Sequence, residues 1–267
     1  MIIQLSTPRL ELWRIDGQFS NQPHVHDHDF QITIPLYGQC EFTLENRPYS
    51  LMNGGGLVQH PKEKHYFEID ASSGVLIFKL NQNGLRHHSL QEHTEFAISQ
   101  QFDVSFMTEK FRKWSSVLLS CDPSDLLVQE ELESEILYFL LDKMDGSHKH
   151  IAESFALRVP CADLHMSNAL DYIHAYYKTD VRIDTLAALA IRSRYHFIRS
   201  FKELTGLTPY QYVLQLRIEE AKRLLKATKL TVTEISFSLG FSSVSQFQRL
   251  FAKASGATPS DFRRACR

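Results

Sequence analysis

The chain is poor in the features that mark secreted, membrane-spanning or nucleotide-cradling proteins. It has four cysteines in 267 residues, Cys40, Cys121, Cys161 and Cys266, with no CxxC pair. That spacing argues against a disulfide framework and a thiolate zinc site, and it reads as free thiols in a reducing compartment. No run approaches the roughly 18 uninterrupted apolar residues that a membrane span needs. The opening "MIIQLSTPRLELWR" lacks the basic, apolar and small-residue segments of a secretory leader. A cytoplasmic location is the expectation. One glycine run exists, Gly54–Gly56, but no Lys-Ser/Thr and no helical pattern follow it. A phosphate cradle is therefore not expected there, and a tight corner between strands is.

What is present divides the chain in two. Overall, 43% apolar and 22% charged residues are typical of a soluble globular protein. The net charge of -2 conceals an asymmetry: residues 161–267 hold 16 Lys+Arg against 9 Asp+Glu, and residues 1–160 hold 13 against 22. Only the C-terminal part is electrostatically suited to a polyanion. The hydrophobic period changes as well. Between residues 24 and 80, "FQITIPLYG", "CEFTLE" and "SGVLIFKL" alternate between the turn signals "ENRP", "MNGGG", "HPKEK" and "DASSG", as short strands of a sandwich or small barrel do. Beyond residue 100, "SDLLVQEELESEILYFLLDKM" places Val128, Leu132, Ile136, Phe139 or Leu140, and Met144 at helical spacing. Asp122 or Ser124 is a possible cap for it, and Pro123 suits a first turn. This stripe packs either on its own barrel or against a second copy of the chain. The polar "DGSHKH", Asp145 to His150, suits a linker. From Leu164 onward, cap and stop signals delimit about seven short helices.

The C-terminal half repeats itself at an offset of 50 residues. "SRYHFIRSFKELTGLTPYQY" from Ser193 aligns with "SVSQFQRLFAKASGATPSDF" from Ser243. The offset pairs Arg199 with Arg249, Phe201 with Phe251, Gly206 with Gly256, and Thr208-Pro209 with Thr258-Pro259. A shorter helical segment precedes each copy, "IDTLAALA" and "TVTEISFSLG". Helix, tight turn and a second helix with polar and basic residues is the form that enters a DNA major groove. Two copies are too few for a solenoid. The helix between them, about Pro209 to Ala227, is roughly 28 Å long at 1.5 Å per residue. A strut of that length can set two recognition helices about one DNA turn, near 34 Å, apart.

Helix geometry selects the expected DNA-reading residues. In the second unit Ser243, Ser245, Gln246, Gln248 and Arg249 face away from Phe247, Leu250 and Phe251. In the first, Arg194, Tyr195, Ile198, Arg199 and Lys202 face away from Phe197 and Phe201. Arg bonds guanine bidentately and Gln bonds adenine, while Arg194 and Lys202 are better placed for phosphate. Arg199 and Arg249 are open to two roles, base contact or holding a neighbouring carboxylate or phosphate.

The stretch "LRIEEAKRLLKATKLTVTEISFSLGFSSVSQFQRLFAKASGATPSDFR" resembles the signature of the AraC/XylS family of bacterial transcription regulators. Arg217, Ala221, Leu224-Leu225, Ile235, Gly240-Phe241, Phe247, Arg249, Phe251, Gly256, Thr258-Pro259 and Arg263 carry that resemblance. Leu186-Ala187, Ser193, Arg199 and Phe201 fit the family's weaker first motif. Ile191, at the first turn, departs from it, because a glycine or small residue is usual there and a β-branched residue tolerates positive φ poorly. Arg192 and Ser236 depart too, from an apolar residue and an alanine. The resemblance implies sequence-specific promoter DNA as a partner, activation by recruiting RNA polymerase, a small-molecule effector and a homodimer. "HVHDHDFQITIPLYGQCEFTLENRPYSLMNGGGLVQHPKEKH" further resembles the cupin-like sensor barrel of such regulators. Enzymatic cupins hold a metal with two histidines, a glutamate and a later histidine, and here Gln31 stands at the glutamate's place.

The expected fold is therefore α+β in two domains. A cupin-like sensing and dimerising domain spans 1–146, with its barrel over about 1–90 and helices over about 100–145. A linker follows at 147–162, then a double helix-turn-helix domain over 163–267. If strand parity runs unbroken from His24 to Leu36, then His24, His26, His28 and Phe30 line the barrel with His65, and Gln31 points away. Those five are the expected ligand-binding residues. Three readings of the histidines stay open: a pocket that hydrogen-bonds a small ligand, a zinc or iron site joined by His65 and His60, or exposed structural residues. No catalytic residue, metal or cofactor is assigned. A metal-dependent cupin enzyme fused to a DNA-binding domain is the alternative to a ligand-responsive regulator.

Overall fold

The computed structural model describes residues 1–82, 95–123, 125–146 and 163–266. Two compact units divide the chain: Met1–Ser120 with Leu132–Val159, and Cys121–Glu131 with Pro160–Arg267. Ser124, the expected linker at 147–162 and Cys161 lie outside the described residues. Among those described, no helix is long and apolar enough to cross a membrane.

The first unit is built on two antiparallel sheets. Its strands are β1 (Ile2–Ser6), β2 (Leu10–Asp16), β3 (Phe19–Ser20), β4 (Asp29–Tyr37), β5 (Cys40–Leu44), β6 (Arg47–Leu51), β7 (Gly55–Gln59), β8 (His65–Ile69), β9 (Gly74–Asn81) and β10 (Ser99–Gln101). One sheet has the order β1-β2-β9-β4-β7-β10, and the other β3-β8-β5-β6. The "ENRP" signal makes a two-residue hairpin between β5 and β6, with Glu45 and Asn46 at φ 47° and 62°. Two successive positive-φ residues give the turn whose twist matches that of the flanking strands. In the glycine run, Gly54 has φ 77°, and a Cβ there would stand 2.4 Å from the Phe102 carbonyl oxygen. The run thus turns the chain between β6 and β7 and admits the backbone that follows β10.

Two layers of core follow from period-2 alternation. Ile15, Leu57, Val75 and Ile77 from the larger sheet meet Cys40, Phe42, Leu44, Phe67 and Ile69 from the smaller, filling the space between them. On the larger sheet's other face, Phe30, Ile32, Ile34, Leu36, Leu76, Phe78 and Leu80 pack under two helices, α1 (Val104–Ser120) and α2 (Leu126–Lys143). Both faces of β4 and β9 are covered, so nearly every residue of the two strands is buried, the polar Gln31 and Thr33 of β4 included. Leu132, Ile136, Phe139, Leu140 and Met144 are buried in the same layer around Trp114. The helical stripe is thus satisfied by its own sheet, and Leu126 begins the helix three residues after Pro123.

In the second unit the described residues form seven further helices: α3 (Asp163–Tyr176), α4 (Ile183–Leu189), α5 (Arg194–Thr205), α6 (Pro209–Ala227), α7 (Val232–Ser238), α8 (Val244–Ser255) and α9 (Pro259–Ala265). They enclose two small cores. Ile183, Leu186, Phe197, Phe201 and Val213 belong to the first. Ile218, Ala221, Leu225, Ile235, Phe247 and Phe251 belong to the second. Helix α6 is the spine, since its first half enters one core and its second half the other.

Most of the repeated residues have local structural duties. Ser193 and Ser243 are N-caps whose hydroxyls accept from the His196 and Gln246 amides. Gly206 and Gly256 end α5 and α8 at φ 77° and 74°. Thr208 and Thr258 cap α6 and α9, each followed by proline at the first helical position. The turns closing α4 and α7 are both Schellman motifs. After α4, the Ile191 amide donates to Ala188 O (3.0 Å) and Arg192 to Ala187 O (2.9 Å). After α7, Gly240 donates to Phe237 O (3.1 Å) and Phe241 to Ser236 O (3.2 Å). The second turn is one residue longer, so α4 and α7 match at an offset of 49 while α5 and α8 match at 50.

Ile191 thus sits at the position that a left-handed residue must fill, at φ 52° and 71% exposed. Gly240 fills the same position in the second turn, where a Cβ would stand 2.4 Å from the Lys178 carbonyl oxygen. A β-branched residue held in this region costs about 1–3 kcal/mol. Ile191→Gly is therefore expected to stabilise the helical unit by about 1 kcal/mol, once the greater unfolded-state entropy of glycine is offset. Urea denaturation followed by circular dichroism would measure it, and a destabilised variant would refute the strain.

Candidate functional site: two exposed helix faces and a three-histidine cluster

The recognition faces differ from the expected list at two positions. Arg194 is 3% exposed and turns back into its own unit. Its guanidinium donates from Nε and Nη2 to the two Asp184 carboxylate oxygens and lies 3.6 Å from Glu130 Oε1. It is the first residue of α5, where the helix still faces α4, and its buried guanidinium does not lie on the exposed face expected to meet phosphate. Gln246 is also buried, at 7%. Its Oε1 accepts from Ser242 N and Oγ (3.1 and 3.0 Å), and its Nε2 donates to Asp125 Oδ2 (3.2 Å). With both ends of its amide engaged, it is not available to read adenine.

The remaining expected residues lie on or near the surface. On α5, Arg199 and Lys202 are exposed, and Tyr195 and Ile198 are half-buried, Ile198 partly against the first core. On α8, Ser245, Gln248 and Arg249 are exposed, while Ser243 is half-buried in its cap. Arg199 Nε donates to Glu203 Oε1 at 2.9 Å, an i,i+4 pair. A pair this exposed is worth about 0–1 kcal/mol and is easily exchanged for a stronger acceptor. Arg249 makes no hydrogen bond or ion pair among the described residues. Of the residues that recur at the 50-residue offset, only this arginine faces solvent without capping a helix or filling a core.

A third arginine, Arg217 on α6, has a structural duty that spacing did not disclose. It donates to the carbonyls of Tyr177 (2.6 Å), Thr179 (2.8 Å) and Gly240 (2.9 Å), with its guanidinium 5.7 Å from the Phe241 ring centroid. Burial lowers its pKa. It ties the turn between α7 and α8 to the segment after α3.

In the sheet unit, parity does not run unbroken through the histidines. Strand β4 starts at Asp29, and the residues before it bend. His24 instead bridges β8: its amide donates to His65 O (3.0 Å), and its carbonyl oxygen accepts the reverse bond from His65 N (2.9 Å). His24, His26 and His65 come together, with ring centroids 4.3–5.2 Å apart and one potential ligand atom from each within 4.8 Å of the others. Phe42 stacks on His65 from the inter-sheet core at 5.9 Å.

Two expected members are elsewhere. Phe30 is buried on the helix-covered face against Phe96, and His28 is exposed. His60 also leaves the cluster, lying against Phe30 with its Nε2 accepting from Phe96 N (3.2 Å). Gln31 moves the other way. It is 2% exposed, donates to Thr33 Oγ1 (3.2 Å) and lies within hydrogen-bonding reach of His26. It pairs in register with the buried Gln59, so both carboxamides share the inner face. The bend before β4 breaks the parity on which the outward placing of Gln31 depended, and it puts Gln31 on the histidines' side.

Burial, then the neighbouring His24, His26 and Lys79 charges, pushes the His65 pKa down to about 4, although its contact with Glu63 O acts the other way. His26 is lowered too, first by burial and then by Lys79 and His24. Both imidazoles are consequently neutral near pH 7.

The comparisons agree with both halves. A model described as a helix-turn-helix domain matches residues 186–265, and one described as an AraC-like ligand binding domain matches residues 9–140. YdeC of Bacillus subtilis (strain 168), an HTH-type transcriptional regulator, is 32% identical over 249 residues, spanning 90% of this chain and 85% of that protein. The Msm operon regulatory protein of Streptococcus mutans serotype c is 29% identical over 254 residues, 94% of this chain and 89% of that one. YobQ of Bacillus subtilis (strain 168), another HTH-type regulator, is 24% identical across 90% of this chain and 88% of its own length. Joining an AraC-like ligand-binding domain to a paired helix-turn-helix domain, the chain belongs to the AraC-type transcriptional regulators.

Proposed function

We propose that this regulator acts in the cytoplasm as a homodimeric transcriptional activator that recruits RNA polymerase, not as an enzyme. A small-molecule effector bound by the sheet unit alters how the helical unit engages its promoter. The helical unit reads two successive major-groove segments on one side of the duplex. Tyr195, Ile198, Arg199 and Lys202 serve the first, and Ser245, Gln248 and Arg249 the second. The observation that carries this reading is the recurrence of an exposed arginine at the same place on α5 and α8, where every other repeated residue has a capping or core role. Helix α6 supports it, because 19 residues give a spacing on the scale of a DNA turn.

The test is selection of a binding site from random duplexes by the full-length chain, followed by hydroxyl-radical footprinting. Two protected segments about one helical turn apart on one face are expected. Arg199→Ala should relax specificity within one segment and Arg249→Ala within the other. Protection of a single segment, insensitive to Arg199→Ala, would refute paired reading.

A further inference from the structure

The three-histidine cluster has the chemistry of a metal site. Its members come from two segments locked together by the paired His24–His65 backbone bonds, so their separation does not depend on long, free side chains. The tautomers are set by the backbone. His24 Nδ1 lies 2.8 Å from Gln22 O, and His65 Nδ1 lies 3.1 Å from Glu63 O. A carbonyl only accepts, so each Nδ1 carries a proton and each Nε2 is the nitrogen left for a ligand. Histidine ligands of metals are ordinarily oriented by such a bond on the far nitrogen.

Two of the Nε2 nitrogens lack other work. Nε2 of His26 and Nε2 of His65 are buried and meet no hydrogen-bond partner. An unmet buried polar group is destabilising, so two in one cluster of described residues require a reason. An apolar pocket would not place three imidazoles against one another, and a structural cluster would bond their nitrogens to neighbours.

We propose that His24, His26 and His65 bind one divalent transition-metal ion of the zinc class through their imidazole nitrogens, leaving the fourth position to water or an oxygen anion. Three imidazole nitrogens suit zinc and its borderline neighbours and suit magnesium or calcium poorly. Among the described residues no carboxylate joins the set. Gln31 is beside it as a neutral carboxamide, so the bound ion keeps its full positive charge and favours an anionic oxygen in the open position. Zinc–nitrogen bonds of about 2.0–2.1 Å put tetrahedral ligand atoms ~3.3 Å apart. From within 4.8 Å, that closure is a side-chain adjustment of roughly an ångström or two. The proposal does not depend on which effector or promoter the regulator uses, because its readout is metal alone.

The test uses the full-length chain purified without a histidine tag, stripped with a chelator and titrated with zinc against a chromophoric competitor, and with cobalt(II) as an absorbing probe. The expected result is one ion per chain, visible ligand-field bands with cobalt, and at least a 100-fold loss of affinity in both His26→Gln and His24→Gln. His28→Gln should bind as the wild type does. Circular dichroism of each variant checks the fold, and the half-buried His24 supplies a readout should a change at a more buried position disturb it. Substoichiometric or weak binding that His24→Gln and His26→Gln leave unchanged would mean an adventitious ion only and would overturn the assignment.

Discussion

Arg249→Ala is expected to lower affinity for the selected operator by roughly 5- to 150-fold, the equivalent of about 1–3 kcal/mol for one bidentate base contact. Stability should change little, within about 0.5 kcal/mol, because the side chain is exposed on α8 and makes no hydrogen bond or ion pair among the described residues. Arg249→Lys separates the two possible partners. Lysine keeps the charge but loses the planar fork, so a phosphate contact would survive the change and a guanine contact would not. The expected outcome is that both variants lose discrimination between operator and random duplex while retaining salt-dependent nonspecific binding. Gel-shift titrations at fixed salt would measure it, and specific binding unchanged in both variants would remove Arg249 from the reading face.

The opposite behaviour is expected of Arg194, five residues before the corresponding position on α5. Arg194→Ala should destabilise the helical unit by about 3 kcal/mol, since removing a buried cation takes one charged partner from the buried Glu130 and two hydrogen bonds from Asp184. Glu130, with a side chain only 5% exposed, would keep Arg182 and the Ile183 amide but lose this cation. Asp184 would lose both of its bonds from Arg194. For a unit of about 100 residues, that corresponds to a fall in melting temperature on the order of 15 °C. Base preference of the folded fraction should be unaltered. Calorimetry of the full-length chain against the wild type decides it, and a variant as stable as the wild type but impaired in DNA binding would restore Arg194 to the interface. Two arginines that look alike in the sequence are thus expected to fail in different assays.

The sequence contained a sign of this difference. At the 50-residue offset Arg194 aligns with Val244, an apolar residue, whereas Arg199 aligns with another arginine. Gln246, aligned with His196, carried no comparable signal. Its burial comes from Ser242 and Asp125, and Asp125 is 121 residues away in the chain.

By itself the sequence determined the class of the protein, its two periods, its capping residues and the duplicated helix-turn-helix. All of these are local, written within a few residues by helix period, cap chemistry and turn preference. The strain at Ile191 was legible for the same reason, since a helix terminus of that kind demands a left-handed residue wherever it occurs. Tertiary structure alone decided which face of β4 meets the helices. Period-2 alternation gives two faces but not their destinations, and one bend before Asp29 reverses the phase. That reversal sent Phe30 to the helix-covered layer and Gln31 inward. His65 is one of the five residues expected from the sequence, and its place beside His24 and His26 is fixed by a backbone pairing across 41 residues, a register that strand pairing sets and local sequence cannot.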